Sequence, residues 1–211
     1  MTLRDGPDRY GLVSLILHWG LAGSMLASWL LGQLDEEGGG FALHVSLGLL
    51  ALAFAGGWLV WRLRMPRPQP VVSSPLERTL ARTVQAGLVA TALIGALSGI
   101  LAQRAEGDAV RFFGVPVAVP EMPSPVPAAR ADGDGERWGD LWDEEESAGE
   151  TAGSGSGEFW EELHELVVQP LFLLLLALHL AGVVKHHLWD GVPILRRMLG
   201  CPLLPAGPPG H

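Results

Sequence analysis

Four long apolar stretches dominate the pattern of hydrophobic and polar positions along this chain. They run roughly over residues 11–33, 41–62, 80–102 and 163–188. A helix needs about 20 predominantly apolar residues to cross the hydrocarbon core of a bilayer, and each stretch reaches that length. The pattern therefore predicts an all-α fold, a transmembrane four-helix bundle that forms a single domain.

Basic residues flank these stretches unevenly. They lie before the first stretch, around the connection between the second and third, and at or beyond the end of the fourth: Arg4, Arg9, Arg62, Arg64, Arg67, Arg78, Arg82, Lys185, Arg196 and Arg197. Lys and Arg are retained on the cytoplasmic side of a membrane. We therefore expect a multi-pass membrane protein with both termini cytoplasmic. The first stretch is longer than a signal-peptide core, so we expect it to be retained.

The acidity of the chain belongs to one segment. Residues 104–162 carry fifteen acids against four arginines, a net charge of -11, whereas the whole chain has a formal charge of -9. We expect this segment to be a periplasmic loop, and its part from about 128 to 157, rich in Gly, Asp, Glu and Ser, to be disordered. The charge gives no indication of nucleic-acid binding. It does suggest that the loop attracts a basic or periplasmic redox partner.

Cysteine chemistry is excluded almost entirely. Cys201 is the only cysteine, and it follows the last apolar stretch. Disulfides within the chain, CxxC zinc sites and covalent CxxCH haem attachment are therefore ruled out. Any haem has to be held by non-covalent ligation.

Four histidines lie inside or at the edge of the apolar stretches, where ionisable residues are costly and usually functional. His18 and His179 lie at one depth, near the cytoplasmic side, and His44 and His164 lie at another, near the outer side. His164 and His179 share one helix, about 22 Å and roughly 60° apart if that helix is regular. Depth alone thus predicts two histidine pairs, one above the other.

Paired imidazoles on facing helices are the usual way to hold a haem in a helix bundle. Small residues that would let a flat ring approach follow or surround the histidines, and include Gly20, Gly23, Gly48 and Gly182. Bis-imidazole ligation suits electron transfer, so two haems would form a path across the membrane. The alternative is that the histidines bond neighbouring helices or carry protons, as in a haem-free transporter or sensor.

Spacing along the fourth stretch does not decide which histidine is the ligand at the inner site. His186 is seven residues after His179, so it lies on nearly the same helix face, and His187 adjoins it. We favour His179 because its neighbours are apolar. Lys185, His186 and Arg62 are expected either to meet haem propionates or to anchor the helices at the membrane interface.

The sequence resembles the prokaryotic cytochrome b561 family. The resemblance covers nearly all of the chain outside the acidic insert. It is carried by Arg9-Tyr10, Ser14, Leu17-His18-Trp19, His44, Ser46, Gly48, Trp61-Arg62, Leu97-Ser98-Gly99, Phe112-Phe113-Gly114, Pro116, Pro120, Leu163-His164-Glu165, His179, Val184-Lys185-His186-His187 and Arg196-Arg197-Met198.

The resemblance implies two b haems, one ligated by His18 with His179 and the other by His44 with His164. It also implies electron exchange with membrane quinone, and for some members superoxide as the electron donor. The acidic segment departs from that last expectation, because a negative field repels an anion. A second departure is the start of the third stretch, where Arg82 and Gly87 stand near positions that are often His and Tyr in the family.

The predicted function is therefore a membrane-bound di-haem b-type cytochrome, an electron-transfer oxidoreductase that works with quinone. A second interpretation is a cytochrome b anchor subunit of a periplasmic hydrogenase or dehydrogenase complex. In that case the acidic loop would be the docking surface.

Overall fold

The computed structural model describes residues 2–6, 10–34, 40–65, 74–119, 157–191 and 198. Most of them form four helices, namely α1 Leu12–Leu34, α2 Phe41–Arg64, α3 Pro75–Ala105 and α4 Gly157–Leu188. All four helices are long and apolar enough to cross a membrane. The predicted all-α transmembrane bundle is confirmed.

Two helices begin earlier than the apolar stretches that predicted them. α3 starts at Pro75 and α4 at Gly157. Proline suits the first turn of a helix, and acids such as Glu77 and Glu158 are favourable near its positive end. Polar first turns therefore extend these helices beyond the part that lipid has to cover.

Glycine ends α3 in a defined way. The N–H of Gly107 donates to the carbonyl oxygen of Arg104 at 3.1 Å, and the N–H of Asp108 donates to that of Gln103 at 3.0 Å. Gly107 has φ +84°, a conformation that favours glycine. These two bonds form a Schellman motif, which satisfies the last carbonyl groups of the helix.

A short hairpin follows α3. Its strands are β1 Arg111–Phe112 and β2 Val115–Pro116, and both residues of the turn between them have positive φ, 47° at Phe113 and 85° at Gly114. Such a turn matches the twist of paired strands. The N–H of Phe113 donates to Ser46 Oγ at 2.9 Å, so the hairpin is attached near the start of α2.

The bundle buries small hydroxyl side chains beside apolar ones and exposes large apolar side chains on its surface, as expected in lipid. Small hydroxyl side chains are buried: Ser14, Ser24, Ser28, Ser46, Thr91 and Ser98. Large apolar side chains such as Leu26, Leu174 and Leu180 are exposed. Ser24, Ser46 and Thr91 each donate to the carbonyl four residues earlier, which satisfies them without a partner from another helix.

A compact apolar cluster joins α1, α2 and α3 near mid-bundle. Its buried members are Leu21, Ala51, Ala55, Val89 and Ala92, and Met25, Phe54, Trp58 and Leu93 pack against them. On α1 this cluster falls between His18 and Ser28, which contacts His44. It therefore separates the two histidine depths.

Part of what the sequence predicted lies outside the described residues. This applies to the acidic insert from 128 to 156, to Arg9, Arg67, Arg196 and Arg197, and to Cys201.

Candidate haem sites

His18 on α1 faces His179 on α4 at the end of the bundle where α1 begins and α4 ends. Their ring centroids are 6.3 Å apart and the ring planes are inclined by 52°. The Trp19 ring lies edge-on to the His18 ring, and their centroids are 5.2 Å apart. We call these two histidines the terminal pair. His179 is thus the α4 histidine that the fold brings to His18.

His44 on α2 faces His164 on α4 at the opposite end of the bundle. Their ring centroids are 5.9 Å apart, with an interplanar angle of 80°. The structure therefore brings together the same two pairs that depth predicted. We call His44 and His164 the loop pair, because they lie beside the connection between α3 and α4.

Backbone carbonyls hold both rings of the loop pair. His44 Nδ1 donates to the carbonyl oxygen of Ser28 at 2.8 Å, and His164 Nδ1 donates to that of Gly95 at 2.9 Å. A carbonyl only accepts, so each Nδ1 must carry the proton. Each Nε2 then has a free lone pair, which is the arrangement that metal-binding histidines use.

Two buried serines complete these contacts. Ser28 Oγ donates to the carbonyl oxygen of His44 at 2.9 Å, so α1 and α2 are joined by one hydrogen bond in each direction. Ser98 Oγ lies 3.1 Å from His164 Nδ1 and itself donates to Gly95. Each ring of the loop pair is therefore positioned by a helix other than its own.

His44 and His164 line a cavity of about 510 Å³. This volume falls in the range of cofactor and ligand sites. Its polar lining includes Ser28, Trp29, Gln33, Thr91, Gln103 and Gln169, together with the carboxylates Glu106, Glu161 and Glu165. No Lys or Arg lines it in the described part of the chain.

Glycines let the helices approach these rings. A Cβ on Gly32 would lie 2.9 Å from His44 Nδ1, and one on Gly99 would lie 3.3 Å from His164 Cε1. Of the glycines expected from the sequence, Gly48 lines the cavity, and a Cβ on it would lie 3.7 Å from Ser28 Oγ. Gly20 accommodates the Phe54 ring, whereas Gly23 and Gly182 have open space where a Cβ would be.

Residues 9–200 match the family described as prokaryotic cytochrome b561. The chain belongs to that family. It is 29% identical over 210 residues to cytochrome b561 homolog 2 of Escherichia coli strain K12, an alignment that covers 95% of this chain and 96% of the relative. No solved structure matches.

Membership of the cytochrome b561 family implies haem b, and the histidine pairs fit that group. Two imidazole nitrogens that bind one metal at about 2 Å place their ring centroids roughly 6 Å apart, because each centroid lies about 1 Å behind its nitrogen. Both pairs have this separation. The indole Nε1 of Trp29, a lining residue of the cavity, is buried without an acceptor among the described residues, as expected if a ligand oxygen is to meet it.

Arg62 was expected at a haem propionate or at the membrane interface, and the structure gives it a different partner. Arg62 Nη1 lies 2.9 Å from Asp5 Oδ2, and the two side chains are only 10% and 1% exposed. Its other terminal nitrogen donates to Ser14 Oγ at 3.3 Å. Asp5 also accepts from the Gly11 N–H and from Ser14, each at 2.8 Å. The charge of Arg62 is thus neutralised within the protein.

Lys185 and His186 form an ion-pair cluster near the end of α4, in which the Lys185 side chain is exposed and that of His186 is only 12% exposed. Lys185 Nζ lies 2.6 Å from Glu77 and 3.2 Å from Asp190. His186 Nδ1 hydrogen-bonds to the Asp190 carboxylate, and this bond, followed by the one from Lys185, lowers the pKa of Asp190. The contacts fit the interfacial alternative of the sequence analysis. His187 is exposed.

The contacts of Asp5, Ser28, Ser98 and Gly95 were not predicted from the sequence, although Ser98 belongs to the family-like passage Leu97-Ser98-Gly99. Asp5 precedes the first helix, where an acid is common, so its sequence position gives no sign of a partner on α2. Ser28 and Ser98 are seventy residues apart, and nothing in the chain links either to a histidine. The helical periodicity of small polar residues is the sequence signal that marks these two serines as buried.

Proposed function

We propose that this cytochrome binds two b-type haems, one between the terminal pair and one between the loop pair, and carries electrons across the bacterial inner membrane. The observation that carries this proposal is the presence of two imidazole pairs, each about 6 Å between ring centroids, at opposite ends of one bundle. Nothing in helix packing requires ionisable side chains to meet twice inside a membrane.

The spacing of the pairs suits an electron path. His164 and His179 are fifteen residues apart on α4, which is about 22 Å along the helix axis. A haem with two imidazole ligands supplies electron transfer, because it has no open iron position for substrate. The apolar cluster around Leu21 and Ala55 lies at a depth between the two pairs.

The charges of the described residues support an orientation with both termini cytoplasmic. Arg62 and Arg64 end α2, Arg78 and Arg82 lie near the start of α3, and Lys185 lies near the end of α4. All five are at the end that holds the terminal pair, against Arg104 and Arg111 at the other end, which is the asymmetry that the positive-inside rule expects. Membrane quinone is the electron partner that the family resemblance implies.

The loop end favours a basic electron donor over superoxide. Glu106, Glu161 and Glu165 line its cavity, and no described basic residue does. A negative field lowers the local concentration of an anion and raises that of a cationic partner, an effect that salt screens. We therefore propose a basic redox protein as donor, and expect a reduction rate that falls as ionic strength rises.

The proposal is tested by haem stoichiometry. The protein is purified in detergent, and a pyridine haemochrome assay is combined with the dithionite-reduced minus oxidised spectrum. Two b haems per chain are expected. Alanine at His18 or His179 should remove one haem, and alanine at His44 or His164 should remove the other. His187→Ala is the control, since this exposed histidine belongs to neither pair.

Absence of haem, or an unchanged haem content in all four variants, would contradict the proposal. Co-purification separates the second interpretation. A cytochrome b anchor subunit should retain a large iron-sulfur partner during mild solubilisation, whereas a stand-alone oxidoreductase should not.

A further inference from the structure

Helix α4 changes its winding beside His164. Residues Leu163–Val168 form a π-helix, and the N–H of Gln169 donates to the carbonyl oxygen of His164, five residues earlier. A regular α-helix would direct that bond four residues back. Single π turns of this kind frequently interrupt α-helices at functional sites.

Pro170 gives a local reason for the change. Proline has no N–H to donate, and in an α-helix its ring clashes with the carbonyl four residues earlier, which here belongs to Leu166. A wider turn before the proline moves that carbonyl away from the ring. The sequence thus disfavours a regular helix at this point.

The π-helix changes the angle between the two histidines of α4. Fifteen residues of regular helix would set His164 and His179 about 60° apart. A π turn accommodates one residue more than an α turn, so the remainder of the helix continues as if fourteen residues intervened. The angle then becomes about 40° in the opposite direction, a difference of about 100°.

Contacts with α3 fix α4 within this turn and after it. Before it ends, His164 Nδ1 donates to the Gly95 carbonyl. At its end, Val168 Cγ1 would lie 2.9 Å from a Cβ on Gly95. Two turns later, Leu175 Cδ1 would lie 3.0 Å from a Cβ on Gly87. The π-helix and the regular part of α4 that follows it therefore both pack on the glycine face of α3 while each histidine meets its partner.

We propose that the π-helix Leu163–Val168 is a positioning element that absorbs one surplus residue, so that one helix presents His164 to the loop pair and His179 to the terminal pair. As it concerns haem, this inference rests on the proposed function. It requires the chain between His164 and His179 to be one residue longer than a regular helix would need to present both rings to their partners.

Paired single-residue deletions test the inference. Val167 lies inside the π-helix and Leu174 lies in the regular part of α4, and both are exposed, at 51% and 58%. Deletion of Val167 should convert the turn to α-helix and leave both pairs in register. Deletion of Leu174 should rotate either His179 and Leu175, or Val168 and the buried Phe172, by about 100° away from their partners.

The readouts are haem per chain and the midpoint of thermal unfolding in detergent. Without Val167 we expect two haems and wild-type band positions, with an unfolding midpoint lowered only by the clash of the Pro170 ring with the carbonyl four residues earlier, now that of Glu165. Without Leu174 we expect a lower midpoint than without Val167, and one haem or none where His179 is the part that rotates. A Val167 deletion that loses a haem and unfolds as early as the Leu174 deletion would overturn the inference.

The two proposals fail in different ways. If the wild type binds no haem, the proposed function fails, and the unfolding midpoints still compare the deletions. If His164→Ala removes a haem and the Val167 deletion does so too, the proposed function holds and the inference about the π-helix is wrong.

Discussion

At the loop end both imidazoles donate from Nδ1 to backbone carbonyls of neighbouring helices, whereas at the terminal end no described residue hydrogen-bonds either ring. The polar contact at the terminal end is instead the buried ion pair between Asp5 and Arg62. The loop pair is thus oriented before a cofactor binds, while the terminal pair depends on helix packing. Substitutions around the two ends should therefore have separable effects.

The largest expected effect breaks the preorganised end alone. Gly32→Ala introduces a Cβ 2.9 Å from His44 Nδ1, so the ring has to move and its bond to Ser28 is lost. With two haems per chain, as proposed above, we expect haem content to fall to one and the terminal haem to be retained. The pyridine haemochrome assay measures this change.

Gly23→Ala is the matched control for that variant. Gly23 is on the same helix, and a Cβ there meets nothing within 4 Å. Equal haem content in both variants would show that the approach of α1 to His44 does not matter for ligation.

Asp5→Ala should act at the terminal end through stability. It leaves the Arg62 guanidinium, only 10% exposed, without its carboxylate. Loss of one partner of a buried ion pair costs about 3–5 kcal/mol. We expect a lower midpoint of thermal unfolding, with little change at the loop haem.

A second substitution sharpens this result. Because replacing both members of a buried pair by apolar residues is often neutral, Asp5→Leu with Arg62→Met should recover much of the lost stability. Asp108→Ala removes an exposed carboxylate and is the control. A midpoint that is unchanged in Asp5→Ala would mean that the pair does not hold the terminal end together.

Gly95→Ala should weaken the loop end by a smaller amount. Its Cβ would lie 2.9 Å from Val168 Cγ1, and β-branched valine has little rotamer freedom to move aside. Overpacking of this kind costs about 1–3 kcal/mol. The unfolding midpoint should fall, and Val168→Ala in the same chain should restore it. Gly182→Ala, which meets nothing within 4 Å, should have no effect.

Ser98→Ala should give the smallest effect. His164 Nδ1 loses the hydroxyl at 3.1 Å but keeps the Gly95 carbonyl at 2.9 Å. A weaker bond makes the imidazole less basic, so the oxidised haem is less stabilised and the midpoint potential of the loop haem should rise. The rise should stay below about 59 mV, which is a tenfold change for one electron.

Redox titration measures this shift. Ser24→Ala is the control, because this buried serine bonds only carbonyls of its own helix. An equal shift in both variants would exclude a specific role for the Ser98 hydroxyl.

The histidine pairing could be predicted because it depends on distance along the helices. Depth follows from residue number at about 1.5 Å per residue, so His18 and His179 could be matched without knowledge of their contacts. The orientation of the rings could not be predicted. It depends on the carbonyls of Ser28 and Gly95, and every residue has a carbonyl, so no sequence signal marks these two.

Arg62 illustrates the same limit for charge. Its place at the end of the second apolar stretch indicated a propionate or the interface, and both alternatives treat the cation as unpaired within the protein. The fold instead brings Asp5 from the segment before α1 to 2.9 Å from it. That contact joins residues 57 apart in the chain, and only the packing of α1 on α2 creates it.

The amino-acid sequence by itself determined the four spans, their number and the depths of the four histidines, because hydropathy and helix rise act locally and sum along the chain. Tertiary structure decided which imidazole nitrogen is free, which glycines touch a ring, and how α4 turns between His164 and His179. These features depend on angles and contacts between helices. A single π turn shifts such an angle by about 100° while the hydropathy pattern stays the same.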